Sequence, residues 1–214
     1  MELKLNRDLF LKSLTHIQGI VEKKNTIPIL SNVLLDATNG KITISATDLD
    51  IIIIEVIKGE IIEEGSTTTT AQVIYDLVRK LPLGSEILIS QKNEGQLSLI
   101  SAKSNFNLKC LSPKDFPVTQ DDVEGESLSI SSPVFLKLLN KTKFAISNDE
   151  TRHYLNGIYL HKTNENNQLY LSAVATDGHR LSKSRIVLDK DVAFEQVILP
   201  KKTLFELVAI LQEE

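Results

Sequence analysis

Phe10-Leu11-Lys12-Ser13-Leu14 is matched by Phe135-Leu136-Lys137-Leu138-Leu139, which lies 125 residues later in the chain (135 − 10). Three further blocks recur in the same order: residues 30–35 and 155–160, Ala46-Thr47-Asp48 and Ala175-Thr176-Asp177, and residues 74–81 and 204–211. The offset between the copies grows only to 130 residues (204 − 74). Because order, spacing and residue type agree, the sequence predicts two copies of one structural unit.

Both copies begin with apolar residues at the spacing of a helix. The residues on one predicted helix face are Phe10, Leu14, Ile17 and Val21 in the first copy, and Phe135, Leu139, Thr142 and Ile146 in the second. A further helix is predicted over about residues 71–81, where Pro82 and Gly84 end it. Each unit therefore contains two helices.

Strand patterns fill the rest of each copy. Asn39-Gly40 between two apolar stretches is typical of a tight hairpin turn, and a longer polar loop, residues 163–167, is expected to replace it in the second copy. Further strands are predicted at residues 51–57, 87–90, 97–101 and 106–111. The fold class is α+β, with tandem repeats of a unit that packs two helices on antiparallel sheet.

The chain is predicted to contain a first domain at residues 1–118, a linker at 119–127 and a second domain at 128–214. Three strands follow the second helix of the first copy, whereas the second copy stops soon after its own second helix. We therefore expect the second repeat to be incomplete, without its closing strands. Because folded proteins normally protect sheet edges, further chain or a partner is expected to cover the gap.

Composition is that of an ordinary globular protein. Of 214 residues, 42% are hydrophobic and 24% are charged, and no apolar run is long enough to span a bilayer. The single cysteine, Cys110, excludes an internal disulfide framework and fits the reducing cytoplasm. A net charge of −4, taken alone, argues against tight binding of nucleic acid.

Residue patterns of catalysis are missing from the sequence. The four histidines show no metal-ligand spacing, and the chain has neither a CxxC pair nor a glycine-rich nucleotide loop. Cys110 lies in an apolar strand pattern, which favours a buried structural thiol over a nucleophile. We therefore expect no catalytic residue, no metal and no cofactor, and Asp177-Gly178 is typical of a turn.

The sharpest motif in the chain is Ala175-Thr176-Asp177-Gly178-His179-Arg180-Leu181. It resembles the signature of the bacterial DNA polymerase III beta subunit family, the sliding clamps. Four other segments resemble this family in the same order along the chain: Thr26-Ile27-Pro28-Ile29-Leu30, Ala46-Thr47-Asp48-Leu49, Asp115-Phe116-Pro117 and Arg152-His153-Tyr154-Leu155-Asn156-Gly157. Together these motifs span nearly the whole sequence.

The resemblance implies the DNA-clamp fold and a role in replication. Clamps of this family have three repeated domains in each chain, and two chains close head-to-tail into a homodimeric ring around duplex DNA. A third domain is absent here, so the sequence resembles an N-terminal fragment. The implied partners are duplex DNA, bound without sequence preference, and the polymerase catalytic subunit, the clamp loader and repair proteins, which dock through short peptides. No membrane is implied.

The family's DNA contacts carry over to Lys24, Arg152, His153 and Tyr154. His153 replaces the usual tyrosine, and Asp149 adds a negative charge that is expected to weaken DNA binding. Basic residues on the predicted helices fit the same reading: Lys12, Arg79, Lys80, Lys137, Lys141, Lys201 and Lys202. Without the resemblance, these basic residues also fit ordinary solvent-exposed helix faces.

The family's peptide pocket carries over to six residues: Leu155, Thr176, Gly178, His179, Arg180 and Leu181. In such a pocket Leu155 and Leu181 would form apolar walls, and Arg180 would bond peptide carbonyls or carboxylates. The opposite wall is expected from residues beyond Glu214, so this chain alone should bind peptides poorly.

Three hypotheses follow for the function. The first is a non-catalytic processivity clamp that tethers a polymerase to DNA. The second is a truncated, clamp-like peptide-binding module that does not encircle DNA. The third is a cysteine or metal hydrolase, which would show a bound metal or lose activity in Cys110→Ser.

Overall fold

Residues 1–21, 26–93, 95–117, 126–149 and 151–212 are described by the computed structural model. The chain divides into two compact units, Met1–Gln120 and Asp121–Glu214. This division falls within the predicted linker, residues 119–127, of which 119–125 lie outside the described residues.

The first unit combines two helices with two antiparallel sheets in the described part of the chain. Its elements are β1 (Glu2–Asn6), α1 (Arg7–Ile20), β2 (Asn32–Thr38), β3 (Lys41–Thr47), β4 (Ile52–Ile57), β5 (Gly59–Glu63), β6 (Gly65–Thr70), α2 (Ala71–Lys80), β7 (Glu86–Asn93), β8 (Gln96–Ser101) and β9 (Ser104–Lys109). The strand orders are β5-β1-β7-β8-β9 and β4-β3-β2-β6. Helices and sheets thus follow the predicted α+β order.

The apolar face of α1 is at the centre of this unit. Phe10, Leu14 and Ile17 are fully buried and pack in one core with residues of α2 and both sheets. The side chain of Asn6 caps α1 by accepting hydrogen bonds from the backbone N–H groups of Asp8 and Leu9. The i, i+4, i+7 spacing therefore predicted the buried face correctly.

The side chain of Arg7 caps the C-terminal end of α2. Its Nε donates to the carbonyl of Val78 at 3.0 Å and its Nη2 donates to the carbonyl of Arg79 at 2.6 Å. These carbonyls lie in the last turn of α2, where they have no partner within the helix. The buried guanidinium of Arg7 therefore caps α2 and joins it to the start of α1.

The second unit repeats both helices and the β4-β3-β2-β6 sheet of the first. Its elements are α3 (Ser132–Asn140), β10 (Gly157–Glu165), β11 (Gln168–Thr176), β12 (Leu181–Val187), β13 (Val197–Pro200) and α4 (Lys201–Gln212). Its strand order, β12-β11-β10-β13, is the same. The pairing of the strands agrees too. Leu34 faces Ser45 in the first unit, and the residues at the equivalent positions of the repeat, Tyr159 and Val174, face each other in the second.

The predicted polar loop at residues 163–167 is wrong. β10 and β11 have 9 residues each, whereas β2 and β3 have 7. A two-residue turn, Asn166-Asn167, joins them with φ of 53° and 63°, much as Asn39 and Gly40 do with 52° and 69°. The four extra residues of the second copy therefore lengthen each of the two strands by two residues. The turn itself stays at two residues, because asparagine tolerates the left-handed backbone that it requires.

The predicted helix through Thr142 and Ile146 is also too long. α3 ends at Asn140, and a 3₁₀ turn, Lys143–Ala145, follows. The hydroxyl of Thr142 donates to the carbonyls of Leu138 and Leu139 at 3.2 and 3.1 Å, so it competes with continuation of the helix. Thr142 and Ile146 are nevertheless buried, as the spacing predicts.

Among the described residues, the second unit has no counterpart of the β5-β1-β7-β8-β9 sheet, in agreement with the predicted incomplete repeat. By the 125-residue offset, Leu128 and Ile130 correspond to Leu3 and Leu5 of β1, which lies between β5 and β7. Within the described residues no strand flanks residues 127–131, which instead line a cavity of about 550 Å³. No helix among the described residues is long and apolar enough to cross a membrane.

Candidate functional site

The turn between β11 and β12 is built by Thr176 and Asp177. Oδ1 of Asp177 accepts hydrogen bonds from the backbone N–H groups of His179 and Arg180 at 3.0 and 2.9 Å. Oγ1 of Thr176 accepts from the N–H of Gly178 at 3.1 Å and donates to the carbonyl of Arg180 at 2.7 Å. Gly178 has φ of 93°, where glycine is favoured. Two side chains therefore fix the backbone that presents Arg180 and Leu181.

The same turn occurs in the first unit, where a threonine and an aspartate again form it. Oγ1 of Thr47 accepts from the N–H of Leu49 at 3.0 Å, and Oδ1 of Asp48 accepts from the next two N–H groups at 3.0 and 2.7 Å. Leu49 has φ of 82° at the position of Gly178. The hydrogen bonds are thus a property of the repeat, and residues 178–181 distinguish the second copy.

Hydrogen bonding lowers the pKa of the Asp177 carboxyl. The backbone N–H groups of Arg180 and His179, together with the Arg180 side chain, lower the pKa of Asp177 from 3.8 to about 2. Nε of Arg180 donates to Oδ2 of Asp177 at 2.9 Å. The carboxylate is therefore ionised at neutral pH and holds the guanidinium beside the turn.

A second loop, residues 147–156, precedes β10. Its ends are joined because the N–H of Ser147 donates to the carbonyl of Leu155 at 3.0 Å. Asp149 accepts from Nε of Arg152 at 2.8 Å, and its pKa is lowered by hydrogen bonds from Thr151 and then from Arg152. Asp149 thus holds Arg152 in place, and Arg152 offsets the negative charge that was expected to oppose DNA.

The structure brings the two loops together at Gly178. A Cβ built on Gly178 would lie 3.7 Å from Nη1 of Arg152. Arg152 was predicted as a DNA contact and Gly178 as part of the peptide pocket, so the two predicted groups adjoin. Glycine leaves open the space beside Arg152 that a side chain would fill.

The predicted site residues of the second unit are all at least partly accessible to solvent. Arg152, Leu155 and Thr176 are half-buried, whereas the others are exposed: His153, Tyr154, Gly178, His179, Arg180 and Leu181. Tyr154 and Leu181 are 68% and 66% exposed, which is high for large apolar groups. Lys24 lies outside the described residues.

Sequence reasoning missed two contributors to this surface. Asp177 was interpreted only as a turn residue, although it also binds Arg180. Phe144 was not considered, and its ring centroid lies 5.8 Å from Cζ of Arg180. The Asp-Gly turn signal could have identified Asp177, but no local pattern places a residue 36 positions away (180 − 144) beside Arg180.

Both units match known domains. The profile of the "DNA polymerase III beta subunit, N-terminal domain" matches residues 1–120, and that of the central domain matches residues 129–214. This chain belongs to the DNA polymerase III beta subunit family. The beta sliding clamp of Caulobacter vibrioides is 42% identical over 208 residues, which are 96% of this chain and 56% of that protein.

Solved structures agree with the family assignment. A sliding clamp from Bartonella birtlesii bound to griselimycin superimposes with a TM-score of 0.95 at 43% identity, covering 100% of this chain and 57% of that one. The Caulobacter crescentus beta sliding clamp, with polyethylene glycol bound to its putative beta-motif tethering region, gives 0.94 at 41% identity, covering 99% and 57%. The chain thus spans just over half the length of these beta subunits.

Lowering the pH from about 4 to 2 is expected to weaken the turn that Asp177 forms between β11 and β12. The folded pKa of Asp177 is about 2, below its ordinary 3.8, so its stabilising contribution is complete above pH 3.8 and is lost as the pH falls through 2. In Asp177→Asn the amide oxygen accepts the same backbone bonds without a charge. We expect the urea midpoint of the variant to depend less on pH in this window than that of the wild type. Equal pH dependence in the two proteins would contradict the role of the carboxylate.

Proposed function

We propose that this chain forms the first two domains of a DNA sliding clamp, a processivity factor that encircles duplex DNA and tethers the replicative polymerase to it. The observation that carries the proposal is the match of its two units, in family order, to the N-terminal and central domains of the beta subunit. Its relatives with this fold are named beta sliding clamp. Tethering acts by raising the local concentration of the polymerase at DNA.

DNA would be held weakly by this surface. Arg152, His153 and Tyr154 would contact the duplex, together with Lys24, whose role stays a prediction. Lys80 of α2, Lys137 of α3 and Lys141, which directly follows α3, are exposed and would add diffuse attraction to phosphates. With a net charge of −4 this attraction is modest and independent of sequence, which suits a protein that must move along DNA.

Partner proteins would dock through short peptides on the second unit. Leu155 and Leu181 supply apolar surface, and the fixed guanidinium of Arg180 supplies a donor for carbonyl or carboxylate oxygens. The polymerase catalytic subunit, the clamp loader and repair proteins are the proposed partners. The sliding clamps of Bartonella birtlesii and Pseudomonas aeruginosa were solved bound to griselimycin. We propose that this compound binds the same surface of this chain and therefore serves as its probe.

The protein would perform no chemistry of its own and would need no cofactor. Within the described residues no group of three His, Cys, Asp or Glu side chains is placed to hold a metal ion. Cys110 is buried, and burial raises the pKa of its thiol, which disfavours the reactive thiolate. Closure of the ring would require a head-to-tail homodimer, and a cytoplasmic location stays a prediction.

A topological experiment tests encirclement. The protein as its gene encodes it is loaded by a clamp loader onto nicked circular DNA, and retention is measured by gel filtration. We expect retention on circles, loss after one restriction cut, and recovery of retention when tightly bound proteins block both DNA ends. Retention that does not depend on DNA ends would overturn encirclement, and failure to load while peptides still bind would favour the peptide-binding module.

A further inference from the structure

Phe144 is an aromatic residue that the core of the second unit does not use. It lies in the 3₁₀ turn Lys143–Ala145, and the next two residues, Ala145 and Ile146, are buried in the core. Phe144 itself is 57% exposed and is not among the side chains packed on that core. A single exposed apolar residue is ordinary, so its neighbours decide whether it has a role.

The ring of Phe144 lies beside the guanidinium of Arg180. Cζ of Arg180 is 5.8 Å from the ring centroid, within the range of a cation–π contact. Asp177 binds the same guanidinium through Nε. Within the described part of the chain, Nε is the only side-chain nitrogen of Arg180 that donates a hydrogen bond to the protein; Nη1 and Nη2 donate none. Phe144 and Asp177 therefore restrain Arg180 while its terminal nitrogens can meet a ligand.

The first unit provides an internal comparison for this pair. By the repeat offsets, Gly19 corresponds to Phe144 and Ile51 to Arg180 (144 − 125 and 180 − 129). The first unit forms the same turn through Thr47 and Asp48 with neither ring nor cation at these positions. The fold of the unit therefore does not require the pair, which is present only in the copy that carries the predicted docking surface.

We propose that Phe144 is a positioning residue of the docking site, which holds Arg180 in the orientation that binds an oxygen of a partner peptide. The ligand is an extended peptide that offers a backbone carbonyl or a carboxylate next to apolar side chains. This inference rests on the proposed peptide-docking function. Phe144 acts through Arg180, so its contribution disappears when Arg180 is removed.

A double-mutant cycle tests the role of Phe144. Griselimycin is titrated calorimetrically into the full-length protein and into Phe144→Leu, Phe144→Tyr, Arg180→Ala and the Phe144→Leu, Arg180→Ala double variant. We expect Phe144→Leu to weaken binding about 3-fold and Phe144→Tyr, which keeps a ring, to weaken it less than about 1.5-fold. In the Arg180→Ala background, Phe144→Leu is expected to have no further effect.

Phe205→Leu is the matched control, because Phe205 is 46% exposed and lies near another cation, with Lys143 Nζ 6.0 Å from its ring. It should bind the probe as the wild type does. An unchanged affinity in Phe144→Leu, or the same weakening with and without Arg180, would overturn the positioning role. Griselimycin binding that is absent from the wild type, or insensitive to Arg180→Ala, would instead reject the docking site itself.

Discussion

Replacing Phe10 with alanine is expected to lower the free energy of unfolding of the first unit by about 3–5 kcal/mol. Phe10 is fully buried in the core that joins α1 with α2 and both sheets of this unit. Removal of the ring loses apolar burial and leaves a cavity that rigid strands on both sides cannot fill. Urea unfolding monitored by hydrogen exchange measures this loss, because exchange reports each unit separately.

Phe135→Ala is the matched control for this prediction. Phe135 occupies the same position of the repeat but is only half-buried, and the second unit has one sheet in the described residues instead of two. Its loss is therefore expected to cost the second unit clearly less than Phe10→Ala costs the first. Equal costs would show that the two cores are equally complete, contrary to the structure.

Repetition is the part of the fold that the sequence predicted best. Matched blocks with small offsets required equivalent strand order, and the sheets of the two units have that order. The helix face of α1 was predicted correctly, because four apolar positions at helical spacing leave one arrangement that buries them all. Both successes depend on patterns that repeat over many residues.

Features that depend on side-chain hydrogen bonds were not predicted. β6 reads Gly-Ser-Thr-Thr-Thr-Thr and has no apolar alternation, yet Thr68 and Thr69 are buried and donate to the carbonyls of Leu111 and Lys109 at 2.9 and 3.1 Å. The cap that Arg7 forms on α2 joins residues more than 70 positions apart. Such contacts exist only once the chain is folded, so local patterns do not signal them.

The candidate site was predicted by motif and not by geometry. The motif named Arg152 and Gly178 for different ligands, and the structure places them side by side. It also named Arg180 for the peptide pocket, which stays a prediction, and the two residues that contact its guanidinium come from its own turn and from a distant 3₁₀ turn. No sequence pattern signals that the two loops carrying these residues meet, because this contact forms only when the unit is folded.

Combining Leu155→Asp with Arg180→Ala is expected to weaken griselimycin binding to the full-length protein by roughly 100-fold or more. Burial of one leucine and one hydrogen bond to a charged group each contribute about 1.5–3 kcal/mol, and each 1.4 kcal/mol is a factor of 10 in affinity. The new carboxylate at position 155 would also face apolar ligand atoms without a partner. Isothermal titration calorimetry measures the loss.

The control carries equivalent changes away from the proposed pocket. Leu49→Asp places a carboxylate on the corresponding turn of the first unit, where Leu49 is 60% exposed, and Arg185→Ala removes an arginine of β12 that pairs with Glu165. This double variant should bind griselimycin within about 2-fold of the wild type, since neither residue belongs to the proposed site. Tight binding that survives Leu155→Asp with Arg180→Ala would place the docking surface elsewhere. Equal losses in both double variants would mean that altered charge alone explains the effect, because only the first pair belongs to the proposed pocket.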